Sequence, residues 1–518
     1  MPIEAKVHEQ LREFLRSERQ TPTLPLSSQW PHHLTMARLV ARALRLGRSA
    51  LIQTGLPPTI AARHRLSYLM SVLMWSEAVI LVVPKHWHQQ LLDIEIPRLQ
   101  DWNATTKPVV ASDSLDETNF SGLVVTTPAV WMRDRLFGEN RFPQGIPTII
   151  DGVDDVKEWT FQQLTVSLNP EDWDELARSL PNLADTIRDC RAQLTKSLFQ
   201  HPANPYQCHL LDSDELGMLR RLQQKLSQQN LPAAWRQFPQ AETVSSWMYG
   251  VRLDRNYGYF SLFAAPVELA SYLQSVWEQQ PVVLIGGSLE PDTQAPLFRQ
   301  QIGLPDVTCV KFSPDRHHEP IQLYMRDGLP LPNTQRFRHV LYSEIQHLLA
   351  LQSEADSGLA VIVVGDIPLR KQVGSALAAE YGSRVHLEST SCSDRDILVT
   401  GWEFWRHHQE VLPTPNLLVI STLPLPSLEN PLVAGRVAYY KRRRQNWFRL
   451  YLLPEALQEL QRAVAPVREV QGVVALLDNR VLHRSYGTQV LSALSPHARL
   501  NSLDASLFPQ VPVEKTTS

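Results

Sequence analysis

Short runs rich in valine, isoleucine and leucine recur along the first third of the chain, and each stops abruptly. They are "SALIQTG" (49–55), "AVILVVP" (78–84), "GLVVTTP" (122–128) and "TIID" (148–151). Between them lie "HHLTMARLVARALRLG", "RHRLSYLMSVLMW" and "HWHQQLLDIEIPRLQ", whose apolar residues fall at helical spacing. Strands that read as unbroken apolar runs, alternating with helices, predict a parallel α/β sheet covered on both faces. Ligands of such sheets gather at the carboxyl ends of the strands.

The pattern changes between 161 and 250. "EDWDELARSLPNLADTIRDCRAQLTKSLF" and "LDSDELGMLRRLQQKLSQQN" are polar, helix-period segments with acidic first turns, and predict an inserted helical module. Strand signals return at "YGYFSLFAAP" and "PVVLIGGSL" (281–289). A second α/β series follows in "LAVIVVGD" (359–366), "SRVHLEST" (383–390), "RDILVTG" (395–401), "NLLVIS" (416–421) and "GVVALLDNR" (472–480). The expected organisation is an N-terminal helix (1–20), a first α/β domain (21–160) returning at 251–310 after the insert (161–250), a second α/β domain (311–500) and a disordered tail (501–518).

Composition narrows the function classes. With 518 residues the chain can bury two or three cores, and its net charge of −3 gives no global signature for a polyanion, although a local basic groove stays possible. Cys190, Cys208, Cys309 and Cys392 are scattered without a C-x-x-C pair, as reduced thiols are. The histidine pairs His86/His88, His317/His318 and His407/His408 show no metal-ligand spacing. The N-terminus lacks the apolar core of a signal peptide, and "LSYLMSVLMWSEAVILVV" is broken by Ser76 and Glu77. No membrane span is expected, and a cytoplasmic location is.

Towards the C-terminus specific motifs appear in order. Phe404-Trp405 is followed by Leu423-Pro424-Leu425, the stretch Tyr451 to Pro454, Gln461, the stretch Leu476 to Arg480 and Tyr486-Gly487. From about residue 24 to 495 the chain resembles the DinG/XPD branch of superfamily 2 DNA helicases. That resemblance implies two RecA-like domains with an arch-like insert in the first. It also implies ATP with Mg²⁺ as cofactor and translocation along single-stranded DNA.

Carried over residue by residue, the resemblance fails at the positions that bear chemistry. A phosphate-binding loop needs glycine amides, a lysine and a Ser/Thr. Here Gly55 is followed by Pro57 and Pro58, which lack amide donors, and Arg63, His64 and Arg65 stand where Gly-Lys-Thr would. Asp151 occupies the magnesium-linked position of motif II, but Gly152 replaces the glutamate that orients water and Asp154 replaces the usual histidine, with Asp155 nearby. Outside an ATP site, the three aspartates read as a solvated turn or helix cap. In motif VI the two arginine positions fall on Ala465 and Arg468. Residual catalytic candidates are therefore Asp151, Asp155 and Arg468, and residual nucleotide contacts Gly55, His64, Arg65 and Gln461. Relatives with a four-cysteine iron–sulfur cluster carry it before motif II, and residues 85–147 contain no cysteine.

Nucleic-acid candidates by family position are Lys85, Thr126, Thr127, Trp402 and Trp405. "YYKRRRQNWF" (439–448) adds Arg442, Arg443 and Arg444 among aromatic residues. Three readings stay open: a nucleic-acid binder with weakened or lost hydrolysis, an active helicase with an atypical nucleotide site, and a protein-interaction scaffold.

Overall fold

The computed structural model describes residues 2–18, 30–55, 63–103, 106–115, 120–241, 246–312, 320–332, 334–354 and 358–508. Pro57 and Pro58, His317 and His318, and residues 509–518 of the expected tail lie outside them.

Two seven-stranded parallel sheets form the frame, as the alternation predicts. The first runs Thr308–Lys311, Ala50–Gln53, Val282–Gly286, Thr148–Asp151, Val79–Val82, Leu123–Thr126, Val109–Ala111. Side chains alternate across it: Ile52, Leu81, Ile149 and Ile285 join the core on one face, while Leu51, Ile80, Ile150 and Leu284 join that on the other. The N-terminal helix Ile3–Glu18 buries Val7, Leu11 and Phe14 in the first of these cores. The second sheet runs Val385–Leu387, Ile397–Thr400, Leu359–Val363, Pro415–Ile420, Val473–Leu476, Ile321–Tyr324, His497–Leu500, again between two cores. This is the RecA-like two-domain arrangement.

The insert carries an antiparallel sheet beside the helices expected of it. Strands Trp247–Asp254 and Tyr259–Pro266 form a hairpin that pairs with Cys208–Leu210 on one side and Val166–Leu168 on the other. The run "YGYFSLFAAP" therefore belongs to the insert's antiparallel sheet, under helices Pro170–Ser179, Ala184–Leu198 and Ser213–Leu226, and not to the returning first domain. Helix Pro431–Arg442 of the second domain packs closely on this insert. A Cβ added at Gly435 would sit 2.7 Å from Met248 Sδ and 3.1 Å from Leu210.

The tail also departs from expectation. Phe508 is buried in a core of the second domain, which anchors the described part of 501–508. Among the described residues no helix is long and apolar enough to cross a membrane.

Candidate nucleotide site

Strand Thr148–Asp151 delivers Asp151 to the carboxyl edge of the first sheet, where it is 1% exposed. Of the solvated turn or helix cap expected there, only Asp155 fits, part-exposed at the N-cap position of helix Val156–Leu164, while Asp151 and Asp154 are buried. Helix Arg65–Leu73 starts beside Asp151, and positions 64, 65 and 68 fall on the helical face towards it. His64 Nε2 donates to Asp151 Oδ1 at 2.9 Å, and the Tyr68 hydroxyl donates to Oδ2 at 2.9 Å. Arg65 Nε lies 3.5 Å from Oδ2. The same guanidinium reaches Glu95 at 3.4 Å and stacks 4.3 Å over Trp87.

Electrostatics follow this geometry. Burial pushes the Asp151 carboxyl up, but the charges of His64 and Arg65 and the two hydrogen bonds outweigh it and hold it below its ordinary value. Burial, with the Asp151 charge, pushes the Tyr68 hydroxyl well above its usual range, so it stays a donor. His64 and Arg65, placed by family position at the nucleotide, instead serve as the carboxylate's partners.

The next residue explains the missing glutamate. Gly152 adopts φ +85°, and a Cβ there would meet Trp87 at 3.1 Å and Trp159 at 3.7 Å. Backbone strain of this kind costs about 1–3 kcal/mol for a residue other than glycine. Gly152→Glu is therefore expected to lower the urea midpoint and to leave ATP turnover no higher than in the wild type in a coupled assay. A rise in turnover from that one change would contradict this account.

The backbone around the cleft is also committed. Gly55 N donates to Gly287 O at 2.9 Å, and Thr54 N to Gly286 O at 2.8 Å. Gln53 Oε1 accepts from the Leu289 and Glu290 amides at 3.1 and 3.0 Å. Asp154 Oδ2 accepts from Gly287 N at 2.8 Å. The stretch Gly286 to Glu290 thus closes onto the first strand and the acidic loop.

Helix Leu453–Glu469 forms the opposing wall. Arg462 pairs with Asp155 at 2.8 Å, Gln458 Nε2 donates to the Asp154 carbonyl at 3.0 Å, and Glu455 pairs with Lys157. Burial lowers the Arg462 pKa, and the charges of Asp155 and Asp154 more than reverse that, raising it. Arg468 points elsewhere, donating to the Pro496 and Leu494 carbonyls of its own domain at 2.8 Å each. The candidates Gln461 and Arg468 are thus replaced at the cleft by Gln458 and Arg462. Sequence reasoning missed these two, although Glu455, Gln458 and Arg462 share one helical face at spacings of three and four.

The nucleic-acid candidates divide. Trp405 is fully buried with Nε1 bonded to Ala463 O at 3.1 Å, so it has no face for a base. Thr126 is buried, and Thr127 caps helix Pro128–Phe137 by accepting from Val130 N. Trp402 is half-buried and lines the cleft, and Lys85 is exposed. Arg442, Arg443 and Arg444 are exposed together with Lys441 and Arg449. Within that patch Arg443 pairs with Glu268 at 3.1 Å and lies over Tyr439.

Known proteins share this organisation in part. A family model described as "Helicase C-terminal domain" matches residues 414–497. The ATP-dependent DNA helicases YoaA of Escherichia coli (strain K12) and of Haemophilus influenzae are 22% and 23% identical over 261 residues. That stretch covers 47% of this chain and 40% of each relative's length, so less than half of those proteins is matched. Among solved structures, an apo XPD covers 90% of this chain and 100% of its own at TM-score 0.56 and 14% identity. S. tokodaii Xpd4 covers 90% and 99% at TM-score 0.55 and 12% identity. At such identities the likeness to solved structures is one of fold.

Proposed function

The chain being of the DinG/XPD type of superfamily 2 helicases, we propose that it acts on nucleic acid as a binding protein that does not hydrolyse ATP. The observation that carries this reading is the sealed carboxylate of Asp151, whose oxygens are occupied by His64, Tyr68 and Arg65. The family implies Mg²⁺-ATP, and the residues here do not fit it. A magnesium ion at Asp151 would displace these partners and meet a buried guanidinium, which repels it. The water-orienting glutamate is absent, and its position is closed by Trp87 and a left-handed backbone. The exposed cations Lys441, Arg442, Arg444 and Arg449 supply a surface for phosphates.

The test is a salt series with labelled oligothymidine beside an ATPase assay. No strand-stimulated turnover is expected, and log affinity should fall linearly with log salt. Arg442→Ala with Arg444→Ala should reduce the slope by about 1.4, roughly 0.7 for each phosphate of a single strand no longer neutralised. ATP turnover stimulated by the strand, or an unchanged slope in the double variant, would overturn the proposal.

A further inference from the structure

We infer that the cleft between the two lobes and the insert binds a basic, extended peptide of a partner protein rather than a nucleic-acid strand. The cleft has a volume of about 1040 Å³. One wall is apolar and half-exposed, built from Trp402, Phe404, Pro424, Leu425 and Pro426. Such a wall accepts the aliphatic stems of lysine and arginine, with their charged heads reaching past it.

Charge decides the occupant. Ten aspartates and glutamates line the cleft against six lysines and arginines. All six cations are already engaged inside the protein. Lys157 pairs with Glu455, Arg370 with Glu388, Arg406 with Glu459, Arg462 with Asp155 and Arg480 with Asp478, while Arg436 lies 4.6 Å over Phe161. Among the described residues no ion pair engages Glu158, Asp366, Glu403 or Glu429, all four exposed. The surplus is therefore negative and exposed to solvent.

Its placement matters more than its size. Asp366, Glu403 and Glu429 follow the strands Leu359–Val363, Ile397–Thr400 and Pro415–Ile420, three neighbours in the second sheet. These carboxyl ends are where phosphates would be bound through helix N-terminal amides. Here Asp366 caps its own helix, accepting from Leu369 N at 2.7 Å, and Glu403 lies in the first turn of helix Trp402–His408. The amide ends face carboxylates of their own chain. A polyanion entering would meet like charge, whereas a cationic peptide meets complementary charge above an apolar wall. This inference does not depend on whether Arg442 and Arg444 hold a strand elsewhere.

The experiment measures anisotropy of a labelled ten-residue peptide alternating lysine and leucine, and of labelled oligothymidine, on the full chain. The cleft variant carries Asp366→Asn, Glu403→Gln and Glu429→Gln, asparagine preserving the helix cap. A control carries Glu175→Gln, Asp185→Asn and Asp189→Asn, exposed acids of the insert. The peptide is expected to bind the wild type and the control alike and to lose at least tenfold in affinity on the cleft variant, without competition from oligothymidine. Absence of peptide binding, or equal loss in the control, would overturn the inference. So would oligothymidine that displaces the peptide and binds the cleft variant more tightly, which would make the strand the occupant. Peptide binding with no oligothymidine binding anywhere supports the inference while removing the proposed strand-binding role.

Discussion

Asp151→Asn is expected to lower unfolding stability by about 1–3 kcal/mol, the cost of taking one of two counter-charges from a buried guanidinium that keeps Glu95 and of leaving buried donors badly paired. In a working ATPase of this architecture the same change removes a metal-linked carboxylate, and its main effect falls on turnover. Here the carboxylate neutralises Arg65 and orders His64 and Tyr68, all three buried. An amide keeps one acceptor oxygen but loses the charge and presents an N–H to a donor. Urea unfolding near neutral pH reads the loss directly, and ATPase activity in wild type and variant should be equally at background. A variant as stable as wild type would show that Asp151 is not the electrostatic partner described. The pH dependence has a definite sign. Asp151 is held below its ordinary pKa, so its stabilisation is fully present above the unfolded carboxyl value, about 4, and fades as pH falls through the lower folded value. The stability difference between wild type and variant should therefore shrink on acidification and persist at pH 7.

The sequence carried the sheets because buried parallel strands cannot hide. Leu51, Ile80 and Leu284 must face one core while Ile52, Leu81 and Ile285 face another, and that double burial leaves continuous apolar runs. The edge strands Val109–Ala111 and His497–Leu500 were not anticipated, since they are short and partly exposed and need no such run. "YGYFSLFAAP" was legible as a strand, but a strand's composition does not say which sheet it joins. Asp151 and Gly152 were legible as an altered motif. Their burial was not, because the partners His64 and Tyr68 stand 87 and 83 residues away and meet the carboxylate only after the sheet is assembled. Arg468 was placed by family spacing, whereas the cleft takes Arg462, nearly two turns earlier on the same helix.

Arg462→Ala combined with Lys157→Ala is expected to let the two lobes separate, seen as a larger radius of gyration in solution scattering. In an ATP-driven motor of two lobes, nucleotide bridging the cleft favours closure, so closure is conditional. Here the bridge is made of protein: Arg462 to Asp155, Gln458 to the Asp154 carbonyl, Lys157 to Glu455, and Gln301 Nε2 to the Leu450 carbonyl at 2.9 Å. Asp155 is 36% exposed, so its pair with Arg462 is worth less than a sealed one, roughly 1–2 kcal/mol. Each 1.4 kcal/mol lost shifts an open–closed equilibrium about tenfold, so two broken pairs move it towards the open form. Because these pairs are partly solvated, about 1 M salt, where screening acts within roughly 3 Å, should move the wild type in the same direction. Mg²⁺ with a non-hydrolysable ATP analogue should leave the wild-type dimensions unchanged. Compaction of the wild type on adding that nucleotide would show that the lobes still close around a ligand and that the protein bridge is not what holds them.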